Sequence, residues 1–215
     1  MGGINLSNMD KTNGFNLSGA EVFLAALPER DIDGVLFPEE RQREVFAKKN
    51  PIAARESFFV WRLLEIAVMQ TFGQTLEEAG LVKSDGRWSA RDFDISISHG
   101  GGALAVAISS RSVGIDLEPL FGDSDCEGIA RRFFSDDELS RYLSTPKEAR
   151  RATFLRIWTA KEAIFKSRAA AAFSPKDTDS YSQRVHTRTV GISDRSYIIS
   201  VATEGEILIH DEIIL

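Results

Sequence analysis

Two carboxylates stand one residue apart in Val113-Gly114-Ile115-Asp116-Leu117-Glu118-Pro119, a stretch whose alternation reads as a strand. Alternate side chains of a strand share a face. Val113, Ile115 and Leu117 therefore point to a core, and Gly114, Asp116 and Glu118 point the other way. Two acids side by side repel unless water or a cation separates them. A hard cation such as Mg2+ takes one or two protein carboxylates and completes its shell with waters and substrate phosphates, and Gly114 leaves room beside the pair. A solvated strand face with two unrelated acids satisfies the same pattern, and both readings stand at this point.

A second constellation spans residues 154–166. On a helix, Phe154, Trp158, Lys161 and Phe165 form one stripe, with Glu162 and Lys166 four apart on the neighbouring face. A lysine inside an apolar stripe needs a partner if buried; otherwise its stem packs on the aromatics and its head reaches water. Glu162 and Lys166 also suit a plain surface ion pair worth about 0.3–0.5 kcal/mol. The third piece is Ser98-His99-Gly100, at the end of a strand and the start of a Gly-rich turn. A histidine there is placed to donate to a phosphate, and bare glycines let a ligand approach the backbone. A structural histidine fits as well. Walker- and Rossmann-type phosphate loops are absent from the sequence.

The elements that position these residues follow from pattern and punctuation. Residues 21–27 read as a strand ending at Pro28. Pro38 opens a helical segment with acids in its first turn, and a longer helix runs over 53–72 to Gly73. Residues 93–99, 103–109 and 113–118 read as three short strands joined by Gly/Ser turns, an antiparallel meander, with Phe93, Ile95 and Ile97 on one face. Helical segments are predicted over 127–132, 135–143 and 147–169, then a polar mobile loop over 174–189 and closing strands at 197–202 and 206–209. The element order divides the chain into two helix-plus-sheet units of about equal length, residues 1–112 and 113–215.

With 215 residues, 43% of them hydrophobic and 27% charged, the chain is long enough for a real core without covalent staples. The single cysteine, Cys126, excludes an internal disulfide and a Cys-rich zinc site. Residues 1–11 are polar and lack a signal-peptide pattern, and no apolar run is long enough to span a bilayer, so the expected location is cytoplasmic, with no membrane partner. A net charge of −6 argues against nucleic-acid binding. Residues 131–168 nonetheless carry ten basic and five acidic side chains, a local excess of +5. Such a region suits an anionic ligand or acidic partner, or is a solvated helical face.

Taken in order, Ile97-Ser98-His99, then Gly114-Ile115-Asp116-Leu117-Glu118, then Trp158-Thr159-Ala160-Lys161-Glu162-Ala163-Ile164-Phe165-Lys166 resemble the three motifs of the 4′-phosphopantetheinyl transferase family, in its longer, two-halved surfactin-synthetase-activating type. Arg131-Arg132-Phe133-Phe134-Ser135, with Glu138 beyond, resembles the stretch between the last two motifs. The resemblance runs from about residue 38 to 172. It implies an α+β pseudo-dimer of two similar helix-plus-antiparallel-sheet halves with an active-site cleft between them. It also implies that Asp116, Glu118 and Glu162 hold the metal, Mg2+ with Mn2+ as the alternative ion. His99 and Ser98 then contact the coenzyme A phosphates, Lys166 closes the third motif, and Arg43, Arg55 and Arg87 serve the nucleotide end. Trp88 stands where the family has proline, Gly100 replaces a common serine, and residues 169–172 are alanine where glycine is common.

The implied reaction moves phosphopantetheine from coenzyme A to a serine of an acidic apo carrier protein. Glu162 is the candidate base, Lys161 the alternative for charge stabilisation, and Lys166 and His99 supply positive charge. One chain supplies both halves, so a monomer is expected. The rival readings are a non-catalytic relative that binds coenzyme A or a carrier, a different Mg2+ enzyme such as a nucleotide pyrophosphate hydrolase, and a structural interaction module. The hydrolase would need several acids on one helix face, whereas Glu162 is the only acid in the stretch 154–166.

Overall fold

The computed structural model of the chain describes residues 17–84, 86–122, 125–168, 173–182 and 184–215. The polar residues 1–11, Asp85 and the alanine run 169–172 lie outside the described residues. Strand β1 (Gly19–Ala26) is followed by helices α1 (Glu39–Phe46) and α2 (Pro51–Phe72). Asn50 starts α2, its Oδ1 accepting from the N–H groups of Ile52 and Ala53, and Pro51 sits at the first position. Gly73, left-handed at φ 66°, ends it.

Next come β2 (Val82–Ser84) and β3 (Arg87–Ser89), a small hairpin exposed along β2 and half-buried along β3, and then β4 (Asp94–Gly100) and β5 (Ala103–Ser109). Gly101 and Gly102 form the two-residue turn between β4 and β5. Both have positive φ, 60° and 82°, which the tight turn requires. Strand β6 (Val113–Pro119) leads into α3 (Cys126–Phe133), α4 (Asp136–Ser144) and α5 (Arg150–Ser167); then β7 (Val185–Ile192), β8 (Arg195–Thr203) and β9 (Glu206–Ile209) complete a mixed α+β arrangement, with five α-helices among the described residues.

The strands make a four-stranded sheet in the order β4-β5-β1-β9, a three-stranded sheet in the order β6-β8-β7, and the β2-β3 hairpin. Strand β5 shows how alternation builds the layers. Leu104, Val106 and Ile108 face α2, where they join Phe58, Trp61 and Leu64. Ala103, Ala105 and Ala107 face the second sheet and meet Ile115, Leu117, Tyr197, Ile199 and Val201 there. Small residues on one sheet let larger ones on the other fill the space between them. On the far side of the second sheet lies α5, packed with α3 and α4 around Phe134, Tyr142 and Phe154.

Two expectations need correction. Residues 93–118 are not a meander: β6 leaves the first sheet and pairs with β8. The segment over 174–189 is not wholly a loop, because β7 occupies residues 185–192 on the edge of the second sheet. An edge strand needs no apolar face on both sides, so its polar sequence concealed it. The hairpin β2-β3 escaped prediction for the same reason. The last strand, β9, lies parallel to β1 in the first sheet.

The two sheets are joined along β4 and β6 without a backbone ladder. As the edge of its sheet, β6 turns alternate N–H groups outward. Asp94, Ser96 and Ser98, on one face of β4, accept those of Val113 (2.8 Å), Ile115 (3.0 Å) and Leu117 (3.2 Å). This comb satisfies a buried edge and fixes the register that carries Asp116. Ser96→Ala removes the acceptor for the buried Ile115 N–H. It should lower the unfolding free energy by about 1–3 kcal/mol in urea titration; an unchanged midpoint would show the comb to be incidental.

Candidate functional site

Asp116 and Glu118 lie on the face of β6 turned from the inter-sheet core, and α5 crosses that face. Gly114 makes the crossing possible. A Cβ there would sit 1.9 Å from the Ala163 carbonyl oxygen and 2.5 Å from the Ser167 nitrogen. Its role is therefore close approach of α5, not space for a ligand beside the acids. Through that contact, Glu162 and Lys166 of α5 reach the β6 carboxylates.

Asp116 is buried, 6% exposed. Its Oδ1 accepts from Lys166 Nζ at 2.7 Å and from Ser98 Oγ at 3.0 Å. Lys166 Nζ lies 3.5 Å from Ser98 Oγ as well. Ser98 thus holds Asp116 with its proton and Leu117 N–H with its oxygen, which spends the hydroxyl on β6. The other carboxylate oxygen, Asp116 Oδ2, is buried with no hydrogen-bond partner among the described residues. A buried carboxylate oxygen left so is costly, and a cation is the usual remedy.

The neighbouring acids register the same excess of negative charge. Burial, reinforced by Asp116 and Glu162 and opposed by Lys166, pushes the Glu118 carboxyl up to about 7. Burial and Asp116 also raise Glu162 above the usual carboxylate range. Among the described residues, no three His, Cys, Asp or Glu side chains are gathered closely enough to form a metal cage. One buried, half-satisfied aspartate with two acids at its flank matches a cation that takes few protein ligands and fills its shell from phosphates and water.

Beside this cluster lies a cleft of about 620 Å3. Five cations line it, Arg41, Lys83, Arg87, Lys166 and Arg168, against one acid, Glu44. Trp88, Ile97 and Phe165 supply apolar wall. Trp88 packs edge-on against Trp61, ring centroids 5.4 Å apart, and Lys83 lies over its ring. The cleft joins the acids through Lys166, which belongs to both.

Several predicted side chains are placed differently. Arg87 lines the cleft, bound to Asp94 and to the Val113 carbonyl. Arg43 does not: it is exposed and pairs with Glu39 at 3.0 Å. Two residues along a helix turn a side chain through about 200°, so Arg41, on the buried side of α1 with Val45, faces inward instead. Its guanidinium donates to Ser57 and lies over Trp61, and burial pulls it below the usual arginine range. Arg55 donates to the Pro28 carbonyl and does not line the cleft.

Lys161 is fully buried and turned into the protein. Its ammonium bonds Glu138 at 2.7 Å and the carbonyls of Pro175 and Thr178 at 2.5 and 2.6 Å. Burial would raise Glu138, but Lys161, Ser180 and the Ser135 N–H outweigh it and hold it below the carboxylate range. Lys161 therefore fastens α5 to α4 and to residues 175–180. His99, at the end of β4, has Nδ1 3.4 Å from Glu56 Oε2 on α2. Nothing in the local sequence marks Arg41, Lys83 or Glu56. Arg41 is detectable only as the i−4 neighbour of Val45.

Fold and site together define an α+β protein that sets a desolvated acidic cluster against a cation-lined cleft. Residues 112–205, which include the acidic strand and α5, match the family model of the 4′-phosphopantetheinyl transferase superfamily. The chain is 33% identical over 121 residues to the 4′-phosphopantetheinyl transferase ffp of Bacillus subtilis, covering 51% of this chain and 52% of the relative. It is 32% identical over 117 residues to the 4′-phosphopantetheinyl transferase Sfp of Bacillus subtilis, covering 49% and 50%. To the 4′-phosphopantetheinyl transferase HetI of Nostoc sp. it is 40% identical over 82 residues, covering 38% and 35%. The chain spans about half the length, or less, of these relatives. Among the described residues, no helix is long and apolar enough to cross a membrane.

Proposed function

We propose that this chain transfers the 4′-phosphopantetheine group of coenzyme A to a serine of an apo carrier protein, with release of adenosine 3′,5′-bisphosphate. The observation that carries the reading is the buried Asp116, with an unpartnered Oδ2, held by Lys166 at the edge of a five-cation cleft within a segment of this superfamily. The cleft suits the phosphates of coenzyme A. Asp116, Glu118 and Glu162 would hold a divalent cation, Mg2+ or Mn2+, which when bound neutralises and polarises the diphosphate.

The chain's own residues then act as follows. Lys166 places positive charge between the acids and the cleft. Ser98 keeps Asp116 in its rotamer. Arg41, Lys83 and Arg87 face the nucleotide end. The carrier serine oxygen forms a bond to the β-phosphorus as the bond from that phosphorus to the bridging oxygen breaks. Glu162, raised above the usual carboxylate range by burial and Asp116, takes the serine proton directly or through water, and the leaving bisphosphate carries the electron pair. The basic excess of the segment 131–168 suits an acidic carrier. A monomeric pseudo-dimer divided near residue 112 and working in the cytoplasm completes the reading.

The test is intact mass of a purified apo carrier after incubation with this protein, coenzyme A and Mg2+. Gain of one phosphopantetheine, abolished by EDTA, is the expected result. No gain across carriers of several pathway types, with coenzyme A still bound, would instead favour a non-catalytic relative.

The acids also predict a pH effect. Between about 4.5, the ordinary glutamate value, and about 7, the folded chain retains a proton on Glu118 that the unfolded chain has lost. The folded state binds more protons there, so stability falls as pH rises through that window, by an amount on the order of 2 kcal/mol after solvent screening. Thermal melts without divalent ions should show this decline, and Mg2+ should reverse it most at pH 8. A melt insensitive to Mg2+ at pH 8 would count against cation binding by these acids.

A further inference from the structure

The catalytic outline leaves Glu56 without a role, although it is a carboxylate only 13% exposed at its side chain and set against His99, the histidine that the family resemblance assigns to the coenzyme A phosphates. It projects from α2 to His99 Nδ1 at 3.4 Å, and the Gly102 backbone beside it also favours its ionised form. The turn that Glu56 grips is fixed from its other side. Tyr197 donates its hydroxyl proton to the Gly101 carbonyl at 2.8 Å, and the Pro119 ring closes on Gly101 so tightly that a Cβ there would lie 2.9 Å from it. His99 therefore ends a strand whose turn is clamped by the second sheet and whose ring is engaged by α2.

An imidazole has two chemically distinct nitrogens. A carboxylate on one fixes the ring's rotation and determines which nitrogen is left to meet a ligand. We propose that Glu56 is a positioning residue for the diphosphate-binding site, holding His99 by Nδ1 so that Nε2 is presented to the anionic ligand. This rests on the coenzyme A reading above. Glu56 acts through His99 and through the hairpin turn, and touches no reacting atom.

The test combines ring nitrogen NMR with a double-mutant cycle on coenzyme A affinity, read by calorimetry. The chain has 3 histidines, so His99 is assignable by variants of His186 and His210. In the ligand-free wild type the proton should reside on Nδ1, and Glu56→Ala should shift it toward Nε2. Glu56→Ala should weaken coenzyme A binding about tenfold, and Glu56→Gln, which still offers an oxygen to Nδ1–H, should recover most of that loss. In a His99→Ala background, Glu56→Ala should change affinity by less than twofold, because the interaction is already gone. An unshifted ring signal in Glu56→Ala, or a tenfold loss that persists without His99, would overturn the inference. If the wild type bound no coenzyme A, the transferase reading would fall, while the ring signal would still decide the link between Glu56 and His99.

Discussion

Lys161→Met should lower the unfolding free energy by about 3–5 kcal/mol in denaturant titration. The reason is what the substitution leaves behind. Glu138 is 3% exposed and receives the ammonium, the Ser180 hydroxyl at 2.6 Å and the Ser135 N–H at 2.9 Å. Without the lysine, a buried carboxylate faces the carbonyls of Pro175 and Thr178 with no cation between them. Removing both charges, in Lys161→Met/Glu138→Leu, should restore much of the stability, because an apolar pair leaves no uncompensated charge. A loss below about 1 kcal/mol in the single variant would mean that the ammonium does not fasten these elements. The variant also bears on function, since the residue after Lys161 is Glu162, and the clasp sets the axial position of α5 across β6.

Asp116→Asn should reduce transfer to a carrier by about 10²–10³-fold or more while the chain remains folded. The amide keeps the size of the side chain but removes the charge that Lys166 and a cation would share. Asp116 is the acid that Ser98 and Lys166 both orient, so its neighbours are less able to replace it than it is to replace them. Carrier mass shift with time measures the rate, and a thermal melt within a few degrees of wild type establishes folding. Transfer at the wild-type rate in a folded Asp116→Asn protein would remove the acidic cluster from the mechanism. Glu162→Ala should fall in the same range, because Glu162 is assigned both a ligand and a base role.

The sequence made part of this site legible because strands and helices impose fixed periods. A period of two in residues 113–118 placed Asp116 and Glu118 on one face, and helical spacing placed Glu162 and Lys166 together. Both hold in the structure. The arginines were less legible. Arg43 and Arg41 are equally basic and two residues apart, and only the orientation of α1 against α2 decides which one turns inward. Lys161 is similar: its place in an apolar stripe announced a partner, but that partner, Glu138, lies 23 positions away on α4, out of reach of any local pattern.

The residues alone determined the order of the chemistry-bearing segments, the extent of the main helices, the hairpin at Gly101-Gly102 and the pairing of acids along β6. Those are consequences of covalent geometry and local hydrogen bonding, which act within a few positions. Only the tertiary structure decided that β6 joins a second sheet, that Asp94, Ser96 and Ser98 cap its edge, that Gly114 admits α5, and that Glu56 reaches His99. Each of these depends on contact between segments tens of residues apart, where burial strengthens charge interactions and unsatisfied polar groups must find partners. The acids became a cluster through packing, when α5 closed over β6, burying Asp116 and half-burying Glu118 and Glu162.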